Sequence, residues 1–227
     1  MHARLSPMFG RKVCIGGFPG IGSVGKVAAD FMATSLKCST IKPFFSSGFP
    51  AQVVVSQGLA ELFRAELRSP EKRDDLLILS GDAQPLEIVG MHSLAGEILE
   101  ALRTEGVSDV ITLAAYVGEA RSGVLGAATD SDSAAALEKS GIPLLRRGAI
   151  GGLNGLLAGL APIYGMRGFC LLGTTSGAEP VDIRAAAILL EALGQLFGLD
   201  LDVSLLRPEQ KEGWETFLPE EPDMNYR

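Results

Sequence analysis

Five short runs that are apolar almost throughout recur along the chain: Val13-Cys14-Ile15, Val53-Val54-Val55, Leu76-Leu77-Ile78-Leu79, Val110-Ile111-Thr112-Leu113 and Phe169-Cys170-Leu171-Leu172. A strand with one wet face alternates apolar and polar residues, whereas a strand covered on both faces loses that alternation. The runs therefore predict buried strands. Between several of them the period becomes helical: Ile88, Met91, Ala95, Ile98, Leu99 and Leu102 fall on one face. Ile183, Ala186, Ala187, Leu190, Leu193 and Phe197 do the same, with Pro180 fitting a first-turn proline and Gly198 a left-handed cap. Asp130 and Asp132 are placed to cap a helix starting at Ala134, and Asp182 to sit in a first helical turn. Strands alternating with helices predict an α/β sandwich around a largely parallel sheet.

The chain has 227 residues, 47% hydrophobic and 21% charged, which suits a soluble globular protein. Residues 1–206 read as a single α/β domain. From Arg207 the composition changes, because Pro208, Pro219 and Pro222 interrupt a stretch with six acidic residues that carries −3 of the net −7 charge. Residues 207–227 are expected to form an acidic tail whose first half could dock through Trp214, Phe217 and Leu218, with the last ten or so residues mobile. A net charge of −7 without a basic stripe argues against nucleic acid. Cys14, Cys38 and Cys170 are odd in number and widely spaced, which points to a reducing, cytoplasmic compartment rather than a disulfide frame or zinc knuckle. Met1 to Gly10 lacks the apolar core of a signal peptide. The uncharged run Gly148 to Met166 contains six glycines, Asn154 and Pro162, so it reads as a helix buried in a soluble core and not as a membrane span. Within it Gly151, Gly155 and Gly159 would form a smooth helical ridge, suited to tight packing on the sheet or to a subunit contact.

Gly20-Ile21-Gly22-Ser23-Val24-Gly25-Lys26 follows the first strand and approaches two phosphate-binding patterns. Read as G-x-G-x-x-G it has the strand-to-helix context of a dinucleotide site, yet no Asp or Glu lies between Phe31 and Ala60 to hold a ribose. Read as G-x-x-x-x-G-K-[ST] it ends in Val27, which removes the magnesium ligand, and Asp82 alone does not replace it. The loop is therefore expected to be a tight turn whose glycines serve the backbone. A phosphate- or nucleoside-handling enzyme using Gly20, Gly22, Ser23, Gly25 and Lys26 is the alternative. Other catalytic sets are thin: Ser122 and Ser176 are not in G-x-S-x-G, and His2 and His92 are the only histidines, His92 reading as a partly exposed helix residue. No metal ligands, cofactor motif or nucleophile emerge.

Five blocks stand in a telling order: Gly17-Phe18-Pro19-Gly20-Ile21-Gly22-Ser23-Val24-Gly25, Leu79-Ser80-Gly81-Asp82-Ala83-Gln84-Pro85, Gly151-Gly152-Leu153-Asn154-Gly155-Leu156-Leu157, Cys170-Leu171-Leu172-Gly173-Thr174, and Asp182 with Ala185-Ala186. Together, over roughly Val13 to Leu205, they resemble the proteasome assembly chaperone family, second-subunit type, which includes archaeal and bacterial single-protein homologues. The resemblance implies a three-layer α/β/α sandwich, with a parallel or mixed sheet, distantly like nucleoside phosphorylases. It also implies a non-enzymatic, ATP-independent chaperone or adaptor, homo-oligomeric, that binds the α-subunits or α-ring of the core proteasome.

Proteasome activators and several assembly chaperones end in a hydrophobic residue, a tyrosine and one last residue that enter a pocket between α-subunits. By that resemblance Asn225, Tyr226 and Arg227 are the candidate anchor. Tyr226 matches the penultimate tyrosine and Arg227 supplies the carboxylate, whereas Asn225 departs from the hydrophobic position. In physical terms, a flexible acidic tether would present an aromatic ring with a hydroxyl and a carboxylate suited to a lysine.

Overall fold

The computed structural model describes residues 8–118 and 123–206. Ser122, the acidic segment from Arg207 and the anchor residues Asn225, Tyr226 and Arg227 lie outside the described residues. The elements run β1 (Val13–Gly17), α1 (Val24–Ser35), β2 (Cys38–Phe44), β3 (Val53–Ser56), β4 (Leu59–Leu62), β5 (Ala65–Pro70), β6 (Leu76–Gly81), α2 (Ile88–Thr104), β7 (Asp109–Val117), β8 (Val124–Ala128), α3 (Ser131–Lys139), α4 (Gly152–Leu160), β9 (Arg167–Thr175) and α5 (Ile183–Phe197).

Seven strands form one sheet in the order β2-β5-β6-β1-β7-β9-β8. β6, β1, β7 and β9 are mutually parallel, while β2, β5 and β8 run antiparallel to their neighbours, so the sheet is mixed with a parallel centre. The uniform apolarity of the central strands follows from this placement. In β1, Val13 and Ile15 point into a core shared with α1 and α5, and Cys14 points into the opposite core with α2 and α4. Leu76 and Ile78 of β6 likewise face the first core, and Leu77 and Leu79 the second.

Both ends of α5 carry the caps that its sequence supplies. The Asp182 carboxylate accepts from the N–H of Ala185 at 2.9 Å, and Gly198 closes the other end at φ 60°. Pro180 stands two residues ahead of that N-cap and so precedes the first turn. Asp130 caps α3 by accepting from the N–H of Ser133 at 2.8 Å, which starts the helix at Ser131 and not at Ala134.

Three other expectations are corrected. Val53-Val54-Val55 is a strand, but it belongs to a separate two-stranded sheet with β4 and is exposed along its whole length. A run apolar on both faces implies cover on both faces, and here no residue of the described chain provides it. Ile88 begins α2 but is 75% exposed, because the buried face of that helix starts only at Leu94. The 148–166 run is not one buried helix: α4 covers residues 152–160, a 3-10 turn follows, and Ile163 beside Pro162 is 77% exposed.

The glycine ridge also resolves differently from a sheet contact. A Cβ at Gly151 or Gly159 would meet nothing, while one at Gly155 would lie 1.8 Å from the carbonyl oxygen of Ile150, in the helix's own approach loop. The close approach between α4 and the sheet is made instead by Gly168 of β9, whose Cβ would lie 2.0 Å from the carbonyl oxygen of Ala158.

Candidate functional site

At the carboxyl ends of the parallel strands, the position where open α/β sheets usually take ligands, a cleft of about 470 Å³ opens between the β1–α1 loop, the end of β7 and the start of α4. Phe18, Ile21, Tyr116, Leu145, Ile150 and Leu172 supply its apolar walls. Gly20 and Gly25 of the alternative phosphate set line it, but Gly22, Ser23 and Lys26 do not.

The loop is a turn held by backbone contacts. Gly22 and Ser23 both adopt left-handed conformations, at φ 58° and 46°. The Gly22 carbonyl accepts from the N–H of Asp182 at 2.8 Å, which ties the turn to the start of α5. Thr175 completes that junction by donating its hydroxyl to the Asp182 carboxylate at 2.5 Å. A Cβ on Gly17 would lie 1.9 Å from the Gly25 carbonyl oxygen, and one on Gly25 would lie 2.0 Å from the Leu113 carbonyl oxygen, so both glycines are required by close backbone approach.

Lys26, the residue a nucleotide would need, is already engaged. Its side chain is buried, with Nζ 2.8 Å from Asp30 and 3.8 Å from Asp82. Asp30 also lies 3.5 Å from Arg68, which donates to Ser80 Oγ at 2.6 Å and to Glu66. Arg64 adds bonds to Glu66 at 2.9 Å and Glu61 at 2.7 Å, and its backbone N–H donates to Asp82. Burial alone would raise the Glu66 pKa, but the two guanidinium groups outweigh it and hold the carboxyl below its ordinary value. Asp82 is thus a member of a salt-bridge network, the opposite of a free metal ligand.

The polar side chains nearest the cleft are also satisfied internally. Asn154, nearly fully buried, accepts from the Phe18 N–H at 2.9 Å and donates to the Phe18 carbonyl at 3.1 Å. Gln84 donates to the Pro19 carbonyl and accepts from the Leu153 N–H at 2.7 Å. These two amides clamp the β1–α1 loop, the segment after β6 and the N-terminus of α4 together. Five blocks separated in sequence thereby meet at one end of the sheet, since Cys170 bonds Thr112 and lies 3.8 Å from the Asn154 carbonyl oxygen.

Sequence reasoning assigned Gln84 and Asn154 no role. The available signal was Asn154 standing alone as a polar side chain in the apolar 148–166 run. Asn154→Leu should leave both backbone groups of Phe18 unpaired in a buried site, at about 1–3 kcal/mol for each unsatisfied group. Urea unfolding followed by circular dichroism should show a lower midpoint with an unchanged slope, and an unmoved midpoint would mean that the clamp contributes nothing.

The thiols are poor nucleophiles at neutral pH. Burial pushes Cys14 well above the thiol range, partly offset by Lys12, and raises Cys38 to about 11 against the opposing effect of Arg68. Burial raises Cys170 as well. His92 is exposed on α2, and Ser176 Oγ accepts from the N–H of Ala178 at 3.3 Å. Among the described residues no group of three or more His, Cys, Asp and Glu side chains could hold a metal, and no helix is long and apolar enough to cross a membrane.

Comparison with known proteins places this arrangement. The chain is 32% identical to an archaeal proteasome activator of Pyrococcus furiosus, PbaB, with 92% of this chain and 93% of that one covered and a TM-score of 0.79. PbaA of the same organism, described as an archaeal homolog of proteasome-assembly chaperone, is 29% identical over 88% of each chain with a TM-score of 0.74. An uncharacterised protein of Methanocaldococcus jannaschii is 32% identical over 210 residues, which are 90% of this chain and 80% of that protein. A proteasome-assembly chaperone homologue of Mycobacterium tuberculosis shares the fold at 17% identity and a TM-score of 0.68. The blocks joined by Gln84, Asn154 and Asp182 all fall inside residues 14–220, the stretch that matches the PAC2 family, and the chain belongs to that family.

Proposed function

We propose that this protein is a non-enzymatic, ATP-independent adaptor or assembly chaperone of the core proteasome, binding its α-subunits or α-ring in the cytoplasm. The observation that carries the reading is the 32% identity to an archaeal proteasome activator across 92% of the chain. The sandwich of residues 1–206 serves as a body that self-associates, and residues 207–227 serve as a tether ending in Asn225, Tyr226 and Arg227. In this reading Tyr226 fills a pocket between neighbouring α-subunits while the carboxylate of Arg227 meets a lysine.

The test is capture of purified α-rings on immobilised protein, with the full chain compared with one lacking its last three residues. Retention by the first and loss by the second is the expected result. Equal retention would assign the contact to the folded body, and no retention by either would end the proteasome reading.

The engaged Lys26 and the satisfied amides of Gln84 and Asn154 favour this reading over the nucleotide alternative. Calorimetric titration with ATP, GTP and NAD in the presence of magnesium should give no saturable heat. Micromolar binding that disappears in Lys26→Ala would restore the enzyme reading.

A further inference from the structure

We propose that the β3–β4 hairpin, together with the 45–52 loop at its base and the first turn of α2, is the surface through which two copies of this chain associate, packed face to face with the same surface of its partner. This deepens the self-association stated above, on which it rests, by assigning it to a place.

The hairpin is an anomaly as it stands. An isolated two-stranded hairpin is marginal in water and needs a further strand or a packed face to persist. Here Val53, Val54, Val55, Leu59 and Leu62 are 40–68% exposed, and both strands are open to solvent throughout. Its turn is well formed: Gln57 and Gly58, at φ 49° and 82°, make the two-residue left-handed connection that matches strand twist. The shape is thus locally specified while the faces that would stabilise it lack a partner among the described residues.

The apolar surface continues beyond the hairpin. The 45–52 loop links it to α2, because the Leu86 N–H donates to the Gly48 carbonyl at 2.8 Å and a Cβ on Gly90 would lie 3.4 Å from Gly48 Cα. Leu86, Ile88 and Val89 are 73–78% exposed beside it, and Phe45 is 53% exposed on the loop. Between loop and hairpin lies a groove of about 530 Å³ bordered by Phe45, Phe49, Pro50, Val53, Leu62 and Phe63. Such side chains carry roughly 60–120 Å² of apolar area each. By register, Val53, Val55 and Leu62 share the hairpin face that borders the groove, and Val54 and Leu59 lie on the opposite face. With Phe45, Leu86, Ile88 and Val89, the groove side presents an exposed apolar area on the order of 400 Å², within the range of the largest patch on a typical monomer and enough for the dry centre of a standard interface of about 800 Å² per partner.

Charge selects the occupant. Residues 45–63 contain a single ionisable side chain, Glu61, in a chain that is 21% charged, and that carboxylate is paired with Arg64 at 2.7 Å. Two copies of net charge −7 repel over most of their surfaces and meet without penalty here. Depletion of charge at the centre of a patch is also the composition of interface cores. Natural edge strands facing solvent are guarded by lysine, proline or a bulge. β3 carries none of these, so nothing on the hairpin guards it against association.

Light scattering across a hundredfold range of concentration, on the full chain and on a Val55→Lys/Leu62→Lys double variant, whose two positions share the groove side of the hairpin, tests the proposal. The parent should scatter as a multiple of 23.8 kDa. The variant should weaken association at least 100-fold, while its melting temperature, set by the seven-stranded sheet, is lowered by no more than the loss of association requires. A parent that stays at 23.8 kDa throughout, or a variant with the parent's mass, overturns the assignment. Co-sedimentation of a monomeric parent with phosphatidylcholine vesicles, lost in the variant, would overturn it in favour of a lipid surface. The α-ring capture described above is read separately, so a failed hairpin leaves the proteasome reading standing, and a failed capture leaves the hairpin standing.

Discussion

Gly25→Ala should destabilise the protein by about 3 kcal/mol or more, reversing the sign usual for this substitution in a helix. Replacing glycine by alanine in a helix ordinarily gains about 0.5–1 kcal/mol, because glycine loses more backbone freedom on folding. At position 25 the added Cβ would lie 2.0 Å from the Leu113 carbonyl oxygen and 2.8 Å from its carbon. Neither atom can rotate away, since both belong to the backbone of the central strand β7, bonded on one side to β1 and on the other to β9. Relief therefore requires α1 to lift off the sheet by about an ångström, opening the packing of Val24, Val27, Ala28 and Phe31, all buried there. Overpacking of this kind costs 1–3 kcal/mol and occasionally more, and a chain of this length loses roughly 2–4 °C in melting temperature for each kcal/mol. A fall on the order of 6–12 °C by differential scanning calorimetry is expected. Gly159→Ala is the matched control: it lies in α4, its Cβ meets nothing within 4 Å, and the melting temperature should hold or rise. If both variants melt with the parent, the close approach of α1 to β7 is softer than its geometry implies.

The second large effect concerns the tail. Under the proposed function, Tyr226→Ala, or one extra residue after Arg227, should weaken each tip by about 1–3 kcal/mol, the cost of losing an aromatic anchor or a charged hydrogen-bond partner in a pocket. On an oligomer facing a ring the loss is amplified, because several tips docked at once gain on the order of 10²–10⁴ in avidity, and that gain disappears with the tips. Surface-plasmon binding to immobilised α-rings should fall accordingly. Asn225→Leu should move affinity in the other direction if the pocket has an apolar wall, by up to about 1.5–3 kcal/mol for a fully buried leucine. The hairpin variant separates the two contributions: it should bind with the affinity of one tip while Tyr226→Ala in the intact oligomer should not bind measurably. Equal binding by parent and Tyr226→Ala would make the tail a bystander.

Much of the architecture was legible because burial on both sides leaves a plain mark. The runs in β1, β6, β7 and β9 are the four parallel strands at the centre of the sheet, and each is apolar because α1 and α5 lie on one face and α2 and α4 on the other. The caps of α3 and α5 were legible for a local reason, since an N-cap aspartate acts within its own turn. β2, β5 and β8 carry no such mark. β2 and β8 are edges of the sheet, and β5 places Glu66 and Arg68 where their charges are met by Arg64, Asp30 and Ser80. Partners that lie far away in sequence make polar strands acceptable, and a local pattern cannot register them.

By itself the sequence determined the α/β layering, the capping aspartates of α3 and α5 with the glycine that ends α5, and the turn character of the glycine loop, because each depends on residues within a turn or a strand of one another. Only the tertiary structure decided that Val53-Val54-Val55 lies in a separate two-stranded sheet, uncovered among the described residues, that Gly155 serves its own approach loop while Gly168 admits α4 to the sheet, and that Gln84 and Asn154 close the cleft's polar groups upon the chain itself. Apolar periodicity says that a face is to be covered but not by what, and a hydrogen bond between residues 136 apart, such as Asn154 to Phe18, exists only once the sheet has brought its strand ends together.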